Sequence, residues 1–101
     1  MNRQQVLNLL GMAYKSRRLV SGQDLVLQAI KQQQAQFVFL ASDLSVASKK
    51  ELKFAVEKHD LPFTDEFSQL ELSQAIGRPR KTIAITDQGF SNRFEELTSM
   101  N

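Results

Sequence analysis

Cysteine is absent from the sequence. Thiol catalysis, disulfide bridges and zinc sites built on sulfur are therefore excluded, and the composition suits a reducing compartment. Histidine occurs once, at position 59, so no pair of imidazoles exists to hold a metal. His59 stands near a predicted helix end, where a cation interacts with the helix dipole, and a structural or surface role is expected for it. Long apolar runs are missing as well: none approaches the roughly 20 residues needed to span a bilayer. The opening MNRQQVLNLLGMAYKSRR carries basic residues after its apolar stretch rather than before a continuous one, so no signal peptide is expected. A soluble cytoplasmic protein is the expectation.

Motifs of catalysis are equally scarce. The chain has no GxGxxG, no Walker A lysine loop and no GxSxG. Gly22, Gly77 and Gly89 each stand at a predicted helix boundary, where turn or cap geometry explains them. Asp43 follows an apolar strand and is read as a turn or cap residue rather than a base. An enzyme is not expected, and neither a metal nor a cofactor is called for.

What is present fits one globular domain spanning residues 1–101, with 42% hydrophobic and 24% charged residues. The net charge of +2 is only mildly basic, so its distribution says more than its size. Lys15, Arg17 and Arg18 form one basic group, Lys49, Lys50 and Lys53 a second, and Arg78, Arg80 and Lys81 a third. Acids concentrate from Glu57 to Glu71 and at Glu95 and Glu96. If the basic groups converge in space, one face is positive; if not, they are ordinary solvated surface.

Hydrophobic periodicity supplies the elements. Val6, Leu9, Leu10 and Ala13 recur at helical spacing between Arg3 and about Lys15. Leu19 and Val20 allow a very short strand. Ser21 and Asp24 read as a variant capping box, opening a helix that buries Leu25, Val26, Ala29 and Ile30. Phe37 to Ala41 is a continuous apolar run, the mark of a strand covered on both faces. Leu52, Ala55 and Val56 stripe the next helix, which runs to about His59 after the cap chemistry of Ser42, Asp43 and Ser45. Pro62 confines the segment from Leu61 to Thr64 to a strand edge or start.

Phe67, Ser68, Glu71 and Leu72 combine a hydrophobic staple with a capping box, and Gly77 supplies the stop. The basic loop Arg78 to Lys81 then leads into the strand-like run Thr82 to Thr86. A final helix from about Gln88 is striped by Phe90, Phe94 and Leu97. Alternating helices and strands of this kind predict an α/β fold, a three-layer α/β/α sandwich around a four-stranded mixed sheet.

Taken together, LVSGQDLVLQAI, FVFLASDLSVASKKEL and LSQAIGRPRKTIAITDQGF resemble the kink-turn-binding superfamily of ribosomal proteins, which includes archaeal and eukaryotic large-subunit proteins and the core protein of box C/D particles. The likeness covers nearly the whole chain and is nearest to the bacterial YlxQ-like branch. It implies binding of structured RNA, with ribosomal RNA as the partner, the ribosome or transcription and translation factors as further partners, and a monomer.

The resemblance also implies where RNA would bind. Members that bind kink-turns share a G-x-N-E-x-x-K signature, used on guanine edges. Here the same stretch runs Gly22, Gln23, Asp24, Leu25, Val26, Leu27, Gln28. Gly22 matches, while Asp24, Leu25 and Gln28 replace Asn, Glu and Lys. Gly22, Gln23, Asp24 and Gln28 are the first group of candidates, with a plain capping role for Asp24 standing beside the RNA reading. Arg78, Arg80 and Lys81 form the second, in a loop whose charge suits phosphate better than base stacking. Lys49 and Lys50 flank the same face, where cations at a helix start oppose the dipole and hint at an external anion. A protein-interaction module that kept the fold and lost the RNA site is the rival reading.

Overall fold

The computed structural model describes residues 1–99. Its elements are α1 (Arg3–Lys15), β1 (Leu19–Ser21), α2 (Gln23–Lys31), β2 (Phe37–Leu40), α3 (Val46–Lys58), β3 (Phe63–Thr64), α4 (Gln69–Ile76), β4 (Thr82–Ile85) and α5 (Gln88–Ser99). The sheet order is β1-β4-β2-β3. β4 runs antiparallel to both β1 and β2, and β3 is parallel to β2, so the sheet is mixed as the sequence predicts.

Every residue of β2 and β4 is buried. Because successive strand side chains point to opposite faces, the two strands divide the core in two. Phe37, Phe39, Ile83 and Ile85 pack with Val6, Leu10 and Ala13 of α1, Leu72 and Ile76 of α4, and Phe94 and Leu97 of α5. Val38, Leu40 and Ala84 pack with Val26, Ala29 and Ile30 of α2 and Leu52 and Val56 of α3. The three layers are thus three helices, the sheet and two helices. The phenylalanine side is further tied by ring contacts, including an edge-on approach of Phe39 and Phe94 at 5.0 Å between centroids.

Two expectations need correction. Ser21 is not an N-cap: it belongs to β1, and Gly22 caps α2 with no side-chain hydrogen bond. Register explains this, because pairing continues through Ser21 opposite Ile83 and delays the helix by one residue. Leu25 is not in the core either and remains 54% exposed. The buried stripe of α2 is carried by Val26, Ala29 and Ile30 alone.

The capping box of α4 forms as expected. Ser68 Oγ accepts from the Glu71 N–H at 3.2 Å, and Glu71 Oε1 accepts from the Ser68 N–H at 3.0 Å. The same carboxylate accepts from Arg3 Nη2 at 2.7 Å, and the Arg3 guanidinium lies 4.6 Å from the centre of the Phe67 ring. Arg3 therefore ties the first turn of α1 to the start of α4. Its hydrogen bond, followed by that of the Ser68 N–H, lowers the carboxyl pKa of Glu71 below its ordinary value.

Two outcomes follow for stability. Leu40 is fully buried between α2, α3 and the sheet, so Leu40→Ala should cost about 2 to 5 kcal/mol in denaturant titration. A depressed folded-state pKa gives Glu71 a stabilising contribution that is present above its unfolded pKa. That contribution is lost as pH falls through the carboxylate range towards the folded pKa. In denaturant titrations run across that range, Glu71→Gln should flatten the acid side of the stability profile; an unchanged slope would remove Glu71 as its source.

Candidate nucleic-acid interface

The site is built where the end of β1, the start of α2 and the start of β4 meet. The Gly22 N–H donates to the Thr82 carbonyl at 3.0 Å, which fixes the first turn of α2 beside the loop entering β4. Gly22 itself adopts φ 99 and ψ 143, backbone angles that a side chain strongly disfavours.

That loop is held from beneath by Ser73. Its hydroxyl accepts from the Arg80 N–H at 3.0 Å and donates to the Arg80 carbonyl at 3.2 Å. Gly77, in the left-handed conformation at φ 77, ends α4 and turns the chain into the loop. The Arg80 side chain is tethered in turn. Its Nε donates to Ser21 Oγ at 3.0 Å and its Nη1 to the Pro79 carbonyl at 2.7 Å, so the guanidinium stays near Gly22. Ser21, expected as a cap, thus serves as the anchor of Arg80.

Helix ends decide the electrostatics. Side chains cap the other helices: Asn2 accepts from Gln5 N–H in α1 and Ser45 from Ser48 N–H in α3. Ser68 caps α4 with help from Asp43, which accepts from the Gln69 N–H at 2.9 Å, and Asp87 accepts from Phe90 N–H in α5. α2 has no such cap. The N–H groups of Gln23, Asp24 and Leu25 find no acceptor among the described residues. Free N–H groups at the positive end of a helix, with an arginine beside them, suit an anion such as a phosphate.

Gly22, Gln23, Ser45, Ser48, Gln69, Arg80, Lys81 and Thr82 surround an open groove of about 300 Å³. The first turns of α2, α3 and α4 all reach it. Val46 and Leu70, adjacent to the lining residues Ser45 and Gln69, are 85% and 66% exposed. Across the mouth, Gln23 Nε2 donates to Glu51 Oε1 at 2.6 Å and links α2 to α3.

Of the predicted site residues, Gly22, Gln23, Arg80 and Lys81 come together at this groove. Asp24 lies in the exposed first turn of α2, and Gln28 is exposed one turn further along. Arg78 is exposed in the loop but does not line the groove. Lys49 is half-buried and Lys50 exposed, both just beyond the lining residue Ser48. The three basic groups do not converge. Arg18 accepts from the Thr86 N–H, at the opposite end of β4 from Arg80, and Lys53 pairs with Asp65 at 3.4 Å.

Sequence reasoning missed Ser45, Ser48, Gln69, Ser73 and Glu51. Ser45 was legible only as a cap, and no local pattern marks the others: Gln69, Ser73 and Glu51 each meet a partner outside their own element, and Ser48 joins the groove only by its position.

The family described as ribosomal protein L7Ae/L30e/S12e/Gadd45 matches residues 4–95. The RNA-binding protein YlxQ of Enterococcus faecium is 38% identical over 96 residues, covering 95% of this chain and 93% of that protein. The RNA-binding protein YlxQ of Bacillus subtilis is 36% identical over 90 residues, covering 88% and 90%. Among solved structures, a Bacillus halodurans protein of unknown function gives a TM-score of 0.90 at 31% identity, covering 94% of this chain and 97% of that one. The Giardia lamblia 15.5kD RNA binding protein gives 0.83 at 20% identity, covering 96% and 85%, a likeness of fold. Matched over nearly its whole length, this chain belongs to the ribosomal protein L7Ae/L30e/S12e/Gadd45 family.

Proposed function

We propose that the chain binds structured RNA through the groove at the start of α2, as a cytoplasmic, monomeric, non-enzymatic protein that acts on ribosomal RNA. The observation that carries this reading is the uncapped N-terminus of α2 beside a tethered Arg80. An arginine held by Ser21 has already lost much of its side-chain freedom, so less entropy opposes its contact with a phosphate. Lys81 and Arg78 add charge in the same loop without a carboxylate partner among the described residues. The relatives named as RNA-binding proteins support the same reading.

Phosphate contacts supply affinity, and the shape of an internal loop or other unpaired region supplies selectivity. The exposed Val46 and Leu70 beside the groove fit the apolar faces of unstacked bases. Asp24, Leu25 and Gln28 depart from the kink-turn signature, so a standard kink-turn is not the expected best ligand. The exposed Leu25, Val46 and Leu70 also favour the rival reading, a protein-interaction module in transcription or ribosome assembly.

Replacing Arg78, Arg80 and Lys81 by Ala decides between them. If each meets one phosphate, affinity for different structured RNAs falls about uniformly, and the salt-dependence slope drops by roughly 0.7 to 0.9 per contact. Filter binding at several salt concentrations measures both. A folded triple variant, checked by circular dichroism, with unchanged RNA affinity and slope would overturn the proposal.

A further inference from the structure

We propose that the open edge of β3 and the acidic groove beside it form a second interaction surface, which takes an extended, lysine- or arginine-bearing segment of a partner protein as an added strand. The inference stands apart from the RNA-binding reading and does not rest on it.

β3 lies at the edge of the sheet, with β2 as its neighbour. The Val38 N–H donates to the Pro62 carbonyl at 3.1 Å, so Pro62 and Thr64 turn their backbone groups towards β2. Alternation along the strand turns those of Phe63 and Asp65 outwards, where their N–H and carbonyl groups have no partner among the described residues. The N–H that proline lacks would face inwards, so Pro62 takes no donor from the outer edge. That edge keeps donors and acceptors in the order that an added strand pairs with.

A groove of about 830 Å³ follows this edge. Consecutive residues from Pro62 to Glu66 line one side of it, whereas a hollow on one face of a strand would be lined by alternate residues. Asn92, Glu95, Glu96 and Ser99 line the other side, as a single stripe of α5 at helical spacing. The stripe is about 10 Å long, the rise of about three residues of extended chain.

Charge selects the occupant. The two acidic runs of the sequence meet here, Asp65 and Glu66 from one and Glu95 and Glu96 from the other, and no Lys or Arg lines the groove. Lys53 pairs with Asp65 at 3.4 Å and Arg93 with Glu96 at 3.3 Å, while the exposed carboxylates of Glu66 and Glu95 have no cation partner among the described residues. Arg3 meets Glu66 only at its carbonyl, at 2.9 Å, and gives its ion pair to Glu71. Such a surface repels a polyanion. Among the described residues no group of carboxylates is gathered closely enough to hold a metal ion, so cations spaced along a chain suit these acids better than one ion. A second copy added edge to edge would set Asp65 and Glu66 against like charges, the device by which short charged edges avoid self-pairing. A basic segment turns the same charges into attraction, with backbone hydrogen bonds giving affinity and the carboxylates selectivity.

The test uses the whole chain and short synthetic peptides of alternating valine and lysine. One control peptide is N-methylated at every amide, which keeps the charges but removes the ladder donors; another has glutamate in place of lysine. NMR titration of the isotope-labelled protein at low salt reads weak binding residue by residue. The lysine peptide should shift the amide signals of Phe63 and Asp65 and slow their hydrogen exchange. Both control peptides, and the lysine peptide with the Glu66→Lys, Glu95→Lys variant, should bind about tenfold more weakly or less. The Arg80→Ala, Lys81→Ala variant should bind the lysine peptide as wild type does, which separates this surface from the groove at α2. Silent Phe63 and Asp65 amides, equal binding of either control peptide, or unchanged affinity in the charge-reversed variant, folded by circular dichroism, overturns the proposal. So does a response of the same amides to structured RNA or to protein concentration alone, which would make RNA or a second copy the occupant.

Discussion

The antiparallel pairing of Phe37–Leu40 with Thr82–Ile85 is the constraint on which the rest depends. Both strands are buried on both faces, so each donates alternate side chains to two separate apolar cores. Shifting the register by one residue would exchange the phenylalanine side for the smaller valine, leucine and alanine side. The helices could not then pack, because α1, α4 and α5 are shaped around Phe37 and Phe39 while α2 and α3 meet Val38 and Ala84. The same register puts Thr82 opposite Leu40, fixing where β4 begins. The Thr82 carbonyl receives the Gly22 N–H. The position of the candidate site is therefore a consequence of core packing, with no separate local signal required.

That dependence explains why the site's geometry can tolerate an unfavourable helix start. A helix opened by glycine loses roughly a few tenths of a kcal/mol relative to one with Ser, Asp or Asn there. Four helices of this chain have such caps, and α2 has Gly22. The burial of Val26, Ala29 and Ile30 holds α2 in place regardless. A serine or aspartate at position 22 would satisfy an N–H group and so occupy the place of an external anion. It would also have to adopt a φ of 99, which only glycine takes readily.

Legibility in the sequence followed the range of each interaction. The capping box of Ser68 and Glu71 and the stop at Gly77 are local, involving residues within one or two turns, and both stand as read. Element order and the apolar strands were legible because hydrophobic period reflects burial directly. Ser21 was misread because a long-range fact, its pairing opposite Ile83, overrode a plausible local cap. Leu25 was misread because the stripe of α2 admits two neighbouring phases, and the sheet beneath selects the one centred on Val26, Ala29 and Ile30. Arg80 was recognisable as a basic loop residue. Its tether to Ser21, fifty-nine positions away, was not.

The same distinction between local and global quantities resolves the mild net charge. A value of +2 argues little for a polyanion partner, yet the field at a site depends on nearby charges within about 8 to 10 Å at ordinary ionic strength. Among the described residues the acids that form ion pairs do so with Arg3, Lys53 and Arg93, and none of these lines the groove. Arg80 and Lys81 form no ion pair among the described residues and stand next to the positive end of α2, while the nearby Glu51 carboxylate is held by Gln23. Counting charges over the chain averages this concentration away. The fold creates it, by turning a sequence of nearly balanced charge so that Arg80, Lys81 and, among the described residues, the one helix start without a side-chain cap meet in the same place.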